Sequence, residues 1–138
     1  MTGQDLSGAD LSGESLVNAI LVNANLTDAN LSRADLSGAD LFRAILVDAN
    51  LTGADLTDAN GRWANLTGAR LIKASLTTAT LLTANLSGVN LTNAKLAYAN
   101  LEGADLTDAN LEGARLTDAN LEGANLTDAN LTGAIGLD

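Results

Sequence analysis

The chain of 138 residues contains no cysteine, no proline and no histidine. Without cysteine it can form neither disulfides nor a thiolate nucleophile. Without histidine it lacks the imidazole group that serves in acid–base catalysis and in most transition-metal sites. Aromatic residues make up only 2%, whereas apolar residues together make up 46%. Because large rings normally fill irregular core volume, this core must be built from a more uniform set, namely Leu and Ala.

Basic residues are also few, with seven Lys and Arg against 17 Asp and Glu, which gives a net charge of −10. That excess argues against nucleic-acid binding through a basic surface. No apolar run approaches the roughly 20 residues of a membrane span. The first residues, Met1 to Asp5, lack the basic and then apolar pattern of a secretory signal. We therefore expect no nucleic-acid or membrane partner and a cytoplasmic location.

What the sequence has in abundance is a period of five residues. Of the 26 positions spaced by five from Leu6 to Leu131, 25 hold Leu, and Gly61 is the exception. The position two before each Leu, here called the Ala slot, holds Ala in 24 of 26 cases from Ala9 onward. The position before Leu, called the Asx slot, holds 12 Asn and six Asp among 27 residues. The position after Leu, called the outer slot, is Ser or Thr in 15 of 26 cases, and the next is often Gly or Asp.

A period of five fits neither regular element. In an α-helix, successive Leu side chains would lie about 140° apart and circle the axis. In a long strand, an odd period would send alternate Leu side chains to opposite faces. The pattern instead predicts a solenoid of very short strands, in which Leu and Ala point inward and the chain turns after each unit. Gly or Asp two residues after Leu suits such a turn, because Gly tolerates positive φ and Asp bonds its local backbone.

The unit Ala–(Asp/Asn)–Leu–x–x resembles the pentapeptide repeat family over residues 5–135. The resemblance implies an all-β fold, a right-handed quadrilateral β-helix with four pentapeptides per coil and about six and a half coils. Residues 1–138 would then form a single solenoid domain. The Asn and Asp side chains of the Asx slot would stack between coils, and we expect them to satisfy neighbouring backbone groups.

Two functions follow from the resemblance. The first is a non-enzymatic structural or protein-interaction module, whose partner the sequence does not name. The alternative is an inhibitor or protector of a type II topoisomerase (gyrase) that mimics DNA, because some family members resemble the duplex in width and charge. Residues 1–50 sum to −5, residues 51–100 to +2 and residues 101–138 to −7, so a mildly basic waist interrupts the negative surface.

Other chemistries have less support in the residues. Carboxylates are numerous, but a convex rod predicts no cleft for an acid–base pair, so no catalytic, cofactor-binding or metal-binding residue is expected. The series Asp108, Asp118 and Asp128 would place successive carboxylates on opposite faces, which does not suit calcium. A column of Thr like that of ice-binding solenoids is interrupted by Val47 and Ser87.

One face of the quadrilateral differs from the other three. With four pentapeptides per coil, its outer slots include Val22, Phe42, Arg62 and Leu82, where the other faces carry mostly Ser and Thr. We predict that an interaction patch lies there, formed by a set that adds the neighbouring corner residues and the exceptional glycine: Val22, Phe42, Arg43, Gly61, Arg62, Trp63 and Leu82. Loss of a Leu at Gly61 should leave a void or a bulge beneath Arg62 and Trp63. Alternatively, Trp63 folds over that gap and repairs the packing.

The ends of the solenoid are the remaining feature. The sequence shows no helix or polar cap at either terminus, so the first and last coils should expose strand edges and Leu side chains. Exposed edges favour pairing with another chain. We therefore expect end-to-end association of copies, or flanking domains that cover the ends in a longer protein.

Overall fold

The computed structural model describes residues 1–137, in which no helix and no multi-residue strand occurs. Parallel single-residue bridges recur at every Asx slot instead, from Asp5 with Asn25 to Arg115 with Ile135. Each bridge joins residues twenty apart, so four pentapeptides separate its two halves. The predicted all-β solenoid of short bridged segments is therefore confirmed.

A hydrogen-bonded turn closes each pentapeptide. The N–H three residues after the Leu slot donates to the carbonyl oxygen of that slot, as from Ala9 to Leu6 at 3.0 Å. The residue two after Leu, here called the corner slot, has positive φ in all 27 turns. Positive φ at the third residue is the mark of a type II turn, which favours Gly. Trp63 and Tyr98 nevertheless adopt it, at φ of 59° and 60°.

Leu and Ala fill the interior as the period predicts. From Leu21 to Leu116 every Leu and Ala of these slots is at most 3% exposed, and Val89 is fully buried in an Ala slot. No polar or charged side chain of residues 1–137 is buried. The core is thus one continuous apolar column along the axis of the coils.

Backbone hydrogen bonds between coils hold the stack together. The N–H of Leu26 donates to Ile45 at 2.6 Å, and the N–H of Asp28 donates to Val47 at 2.9 Å. In the opposite direction, the N–H of Ile45 donates to Ala24 at 2.9 Å. Together with the turn bond, this repeating set uses four of the five N–H groups of each unit. Only the N–H of the outer slot is left without a backbone acceptor.

The Asx slot supplies the missing acceptor. All 18 Asn and Asp residues in this slot accept a hydrogen bond on Oδ1 from the N–H two residues on. At Asn65 the distance to the N–H of Thr67 is 3.1 Å, and the Thr67 hydroxyl also donates to Oδ1 at 2.6 Å. The structural role expected for these residues is confirmed.

Some Asx side chains also form ladders between coils. In six cases an Asn Nδ2 donates to Oδ1 of the residue twenty earlier, at 2.9 to 3.4 Å. These donors are Asn25, Asn30, Asn50, Asn60, Asn120 and Asn130. The ladders are therefore local additions to the backbone stack.

The two ends differ in their inward-facing residues. Gln4 and Glu14 occupy Ala slots of the first coil, and both side chains are exposed. The first coil therefore carries two polar side chains in slots that hold Ala or Val in every later coil. In the last coil, Ala124 and Leu126 are half-buried, so apolar surface is exposed there as predicted.

Hydrogen bonds also perturb four carboxylates of the Asx slot. The Ser7 hydroxyl, and then the Ser7 N–H, lower the pKa of Asp5 below its ordinary value. Equivalent hydroxyl and N–H donors lower the pKa values of three more aspartates. Ser12 acts on Asp10, Ser37 on Asp35 and Thr107 on Asp105. Since these pKa values are depressed on folding, the ionised carboxylates stabilise the fold above about pH 4, their unfolded value, and that stability is lost as the pH falls through the folded pKa.

Replacing these four aspartates by Asn should reduce the loss of thermal stability at acidic pH. Asn keeps an Oδ1 acceptor for the turn but cannot titrate, so the melting temperature of the quadruple variant should fall less than that of the wild type below about pH 4. Thermal unfolding followed by circular dichroism measures this. A matched control converts four corner aspartates, Asp28, Asp108, Asp118 and Asp128, to Asn. An equal reduction in both variants would attribute the effect to net charge instead.

Burial along the stack predicts unequal costs for removing a Leu. Leu86 is fully buried in the middle of the stack, whereas Leu6 is only half-buried in the first coil. Leu86→Ala should lower the free energy of unfolding by about 2–5 kcal/mol, and Leu6→Ala by clearly less, because a cavity at the end opens to solvent. Urea denaturation of both variants measures the difference. Equal losses would contradict a stack stabilised by neighbouring coils.

Candidate interaction surface

The structure brings four predicted outer-slot residues together along one face, and this column is called the strip: Val22, Phe42, Arg62 and Leu82. The N–H of Arg43 donates to the carbonyl oxygen of Arg62 at 3.0 Å, and the N–H of Trp63 donates to that of Leu82 at 3.1 Å. Each bond links one coil to the next, so the strip residues are spaced by about 4.8 Å. Phe42 is joined to the coil before it in the same way, by the N–H of Asn23 at 2.9 Å.

Two corner residues border this strip. The guanidinium carbon of Arg43 lies 5.1 Å from the centroid of the Phe42 ring, within the range of a cation–π interaction. Trp63, one coil further on, is 54% exposed. Val22, Phe42 and Leu82 are half-buried. The surface is therefore a partly covered apolar strip with a cation and an exposed indole along one edge.

Gly61 leaves a void in the core beneath the strip. The void measures about 10 Å³ and is lined by apolar residues: Leu41, Leu46, Leu56, Ala59, Gly61, Ala64, Leu66, Leu76, Ala79 and Leu81. A space of this size approaches the minimum for one water molecule. The walls offer no polar partner, so the physical expectation is a dry cavity.

The backbone around Gly61 keeps its register. The N–H of Gly61 donates to Thr80 at 2.7 Å, and the N–H of Ala64 closes the turn onto Gly61 at 3.1 Å. The missing Leu thus produces a void and not a bulge. Trp63 is not among the residues that line this void.

Acidic residues continue the same column toward the C-terminal end. Glu102 and Glu122 occupy the next two outer slots of this face, and both are exposed. The Glu102 carboxylate accepts a hydrogen bond from Nδ2 of Asn120 at 3.3 Å. The apolar strip is therefore bordered by negative charge on one side.

Two other kinds of site are not found in the part of the chain that the structure describes. Within residues 1–137 no group of three or more Asp and Glu side chains is arranged to hold a metal ion. The same residues contain no helix of the length and hydrophobicity that would span a membrane.

Comparison with known proteins agrees with the repeat seen in the sequence and the bridges. The family model described as pentapeptide repeats matches in eight copies, over residues 2–43, 44–81, 84–123 and 106–135. The chain belongs to the pentapeptide repeat family. No curated protein matches it significantly.

Two solved pentapeptide repeat structures illustrate the likeness. HetL, involved in heterocyst differentiation regulation in the cyanobacterium Nostoc sp. strain PCC 7120, is 38% identical, with a TM-score of 0.69 over 100% of this chain and 68% of that one. QnrB1, a plasmid-mediated fluoroquinolone resistance protein, is 21% identical in a trypsin-treated variant form, with a TM-score of 0.66 over 97% of this chain and 84% of that one. At that identity the second likeness concerns the fold alone.

Exposed apolar residues that the predicted patch does not include also lie outside the strip: Met1, Val17, Ile20, Ile45, Tyr98, Ile135 and Leu137. Ile45 is 42% exposed and lies with half-buried Val47 on the face next to the Arg43 corner. Tyr98 is 61% exposed at a different corner. The available signal for the first pair was Ile in an Asx slot, where Asn or Asp is usual.

The void predicts the effect of restoring the missing Leu. A Cβ at position 61 would lie 2.8 Å from Cδ2 of Leu81, a flexible methyl group that can move aside. A Leu side chain is larger than the void, so Leu81 must move aside to admit it. Gly61→Leu should then restore the packing of the other Leu slots and stabilise the fold by about 1–3 kcal/mol, whereas Trp63→Ala should change stability little. Urea denaturation measures both effects. A large loss in Trp63→Ala would show that the indole repairs the packing.

Proposed function

We propose that this pentapeptide repeat protein is a non-enzymatic protein-interaction module, and that its docking surface is the strip with its bordering corner residues. The proposed surface comprises Val22, Phe42, Arg43, Arg62, Trp63 and Leu82, and the buried Gly61 of the predicted patch lies beneath it. Its partner is a protein, since the net charge of −10 disfavours direct contact with nucleic acid. The proposal includes a single solenoid over residues 1–138, with the right-handed sense and about six and a half coils implied by the family.

The observation that carries the proposal is the exposed Trp63 beside the Arg43–Phe42 pair. Trp63 is 54% exposed at a corner where Gly is the favoured residue. Trp, Tyr and Arg are enriched among the residues that dominate binding energy at protein interfaces. The half-buried Phe42 and Leu82 add apolar area on either side of Arg62.

Substitutions in the strip should separate binding from folding. Phe42→Ser and Leu82→Thr introduce residues that outer slots of the other faces already carry. We expect the free energy of unfolding to change by less than about 1 kcal/mol, while capture of a partner from native cell extract is abolished. Pull-down followed by mass spectrometry measures capture, and urea denaturation measures stability.

The matched control uses an apolar outer-slot residue of the opposite face. Ile72→Thr makes a comparable change away from the strip and should leave the same capture intact. If the strip variants retain every interaction, or if the control variant loses the same ones, the strip is ordinary surface variation and the proposal is wrong.

A second candidate function rests on the acidic C-terminal third. Residues 101–138 sum to −7, and the carboxylates of its outer and corner slots are exposed: Glu102, Asp108, Glu112, Asp118, Glu122 and Asp128. Such a surface is the feature by which a rod would imitate duplex phosphates and act on a type II topoisomerase. A gyrase supercoiling assay tests it directly. Inhibition or protection from a fluoroquinolone would support mimicry, and no effect on supercoiling at saturating protein would exclude it.

A further inference from the structure

The two ends of the 138-residue chain carry complementary backbone groups. Within residues 1–137 the N–H groups of Leu126 and Leu131 have no backbone acceptor, because no later coil covers them. The carbonyl oxygens of Asp5 and Asp10 accept no backbone hydrogen bond either. In the interior, each such N–H donates to an Asx-slot carbonyl of the next coil, as Leu106 does to Asn125 at 2.8 Å.

A second copy stacked on the last coil, with the same twenty-residue bridges, would bring these groups together. A second copy that continues the coil therefore places its Asp5 above Asn125 and its Asp10 above Asn130. The bridges of these two slots would then continue from one copy into the next, which describes an open head-to-tail contact that does not close on itself.

The Ala slots of the first coil oppose this contact. Gln4 continues the column of Ala104 and Ala124 from the copy below, and Glu14 continues the column of Ala114 and Ala134. Interior members of these columns, Ala104 and Ala114, are fully buried. Gln4 and Glu14 are instead exposed, and they lie ten residues apart, on opposite faces of the coil.

We propose that Gln4 and Glu14 are a built-in block that prevents the N-terminal coil from stacking on the C-terminal coil of a second copy. Head-to-tail stacking would bury the Glu14 carboxylate and the Gln4 amide against Ala side chains, with no polar group of the core to receive them. Inward-pointing charged residues are a known protection for exposed strand edges. The last coil has no such residue, since its Ala slots hold Ala119, Ala124, Ala129 and Ala134.

The proposed block would limit the end-to-end association that the sequence predicts. It is independent of the strip, because Gln4 and Glu14 lie at one end of the solenoid and the strip lies along its side. An unpaired carboxylate is costly to bury. The free energy lost is several times the amount that changes a binding constant tenfold. Removal of the block should therefore strengthen head-to-tail association on the order of a thousandfold.

The test is the double variant Gln4→Ala/Glu14→Ala in the 138-residue chain. We expect it to form linear assemblies whose sedimentation coefficient rises with protein concentration, while the wild type stays monomeric under the same conditions. Electron microscopy should show rods of increasing length and unchanged width. Circular dichroism establishes that the variant is folded. A folded double variant that remains monomeric, or a wild type that assembles equally well, would overturn the proposal.

Two further variants identify the surfaces involved. Ala134→Glu, added to the double variant, moves the carboxylate to the opposite end and should restore the monomer, because it blocks the last coil instead. If assembly persists, the contact joins two N-terminal ends and the head-to-tail proposal is wrong. Glu122→Ala removes one charge from an outer slot and should leave the chain monomeric. Assembly of that control would show that net charge, and not inward polarity, governs association.

Discussion

A turn closed every five residues by one backbone hydrogen bond, with a left-handed residue at its corner, is the constraint on which this structure depends. The turn directs Leu and Ala inward and leaves three N–H groups per unit for bonds between coils. The fifth N–H, in the outer slot, then has no backbone acceptor. Because backbone donors need a partner, the Asn and Asp of the Asx slot follow from the backbone geometry, and all 18 of them supply Oδ1 to that N–H.

The sequence predicted the inward residues but not the shape of the coil. A period of five excludes helix and long strand and assigns Leu and Ala to the core, which the buried column confirms. The number of units per coil depends on the bend at each corner, and the residue type does not reveal that bend. Gly53, Arg43 and Trp63 all adopt positive φ there, at 69°, 55° and 59°. The four-sided coil therefore came from the family resemblance and from the bridges.

The residue in an Asx slot explains most of the apolar residues found in the outer slot that follows it. Nine Asx slots lack Asn and Asp, and seven of these are followed by an apolar outer residue: Val17, Val22, Val47, Ile72, Leu82, Ala97 and Leu137. With Asn or Asp present, a Ser or Thr hydroxyl can share the same Oδ1, as Thr107 does with Asp105 at 2.6 Å. Without that acceptor the hydroxyl loses its partner, so an apolar side chain is no longer at a disadvantage. The apolar character of Val22 and Leu82 therefore has a local cause.

Phe42 does not fit this local rule, and that separates it from the other apolar residues of the strip. It follows Asp40, whose Oδ1 accepts the Phe42 N–H at 3.1 Å, and it is the one apolar outer residue after an Asn or Asp. Trp63 departs from the favoured choice too, because a left-handed backbone costs an L-residue roughly 1–2 kcal/mol that Gly avoids. Position 61 departs from the repeat as well, because Gly stands where a buried Leu would fill the core. Local rules fail most often where function requires another residue. The departures at Phe42 and Gly61 are each the only one of their kind in the repeat and fall in adjacent coils, which concentrates the argument for binding on this part of the strip.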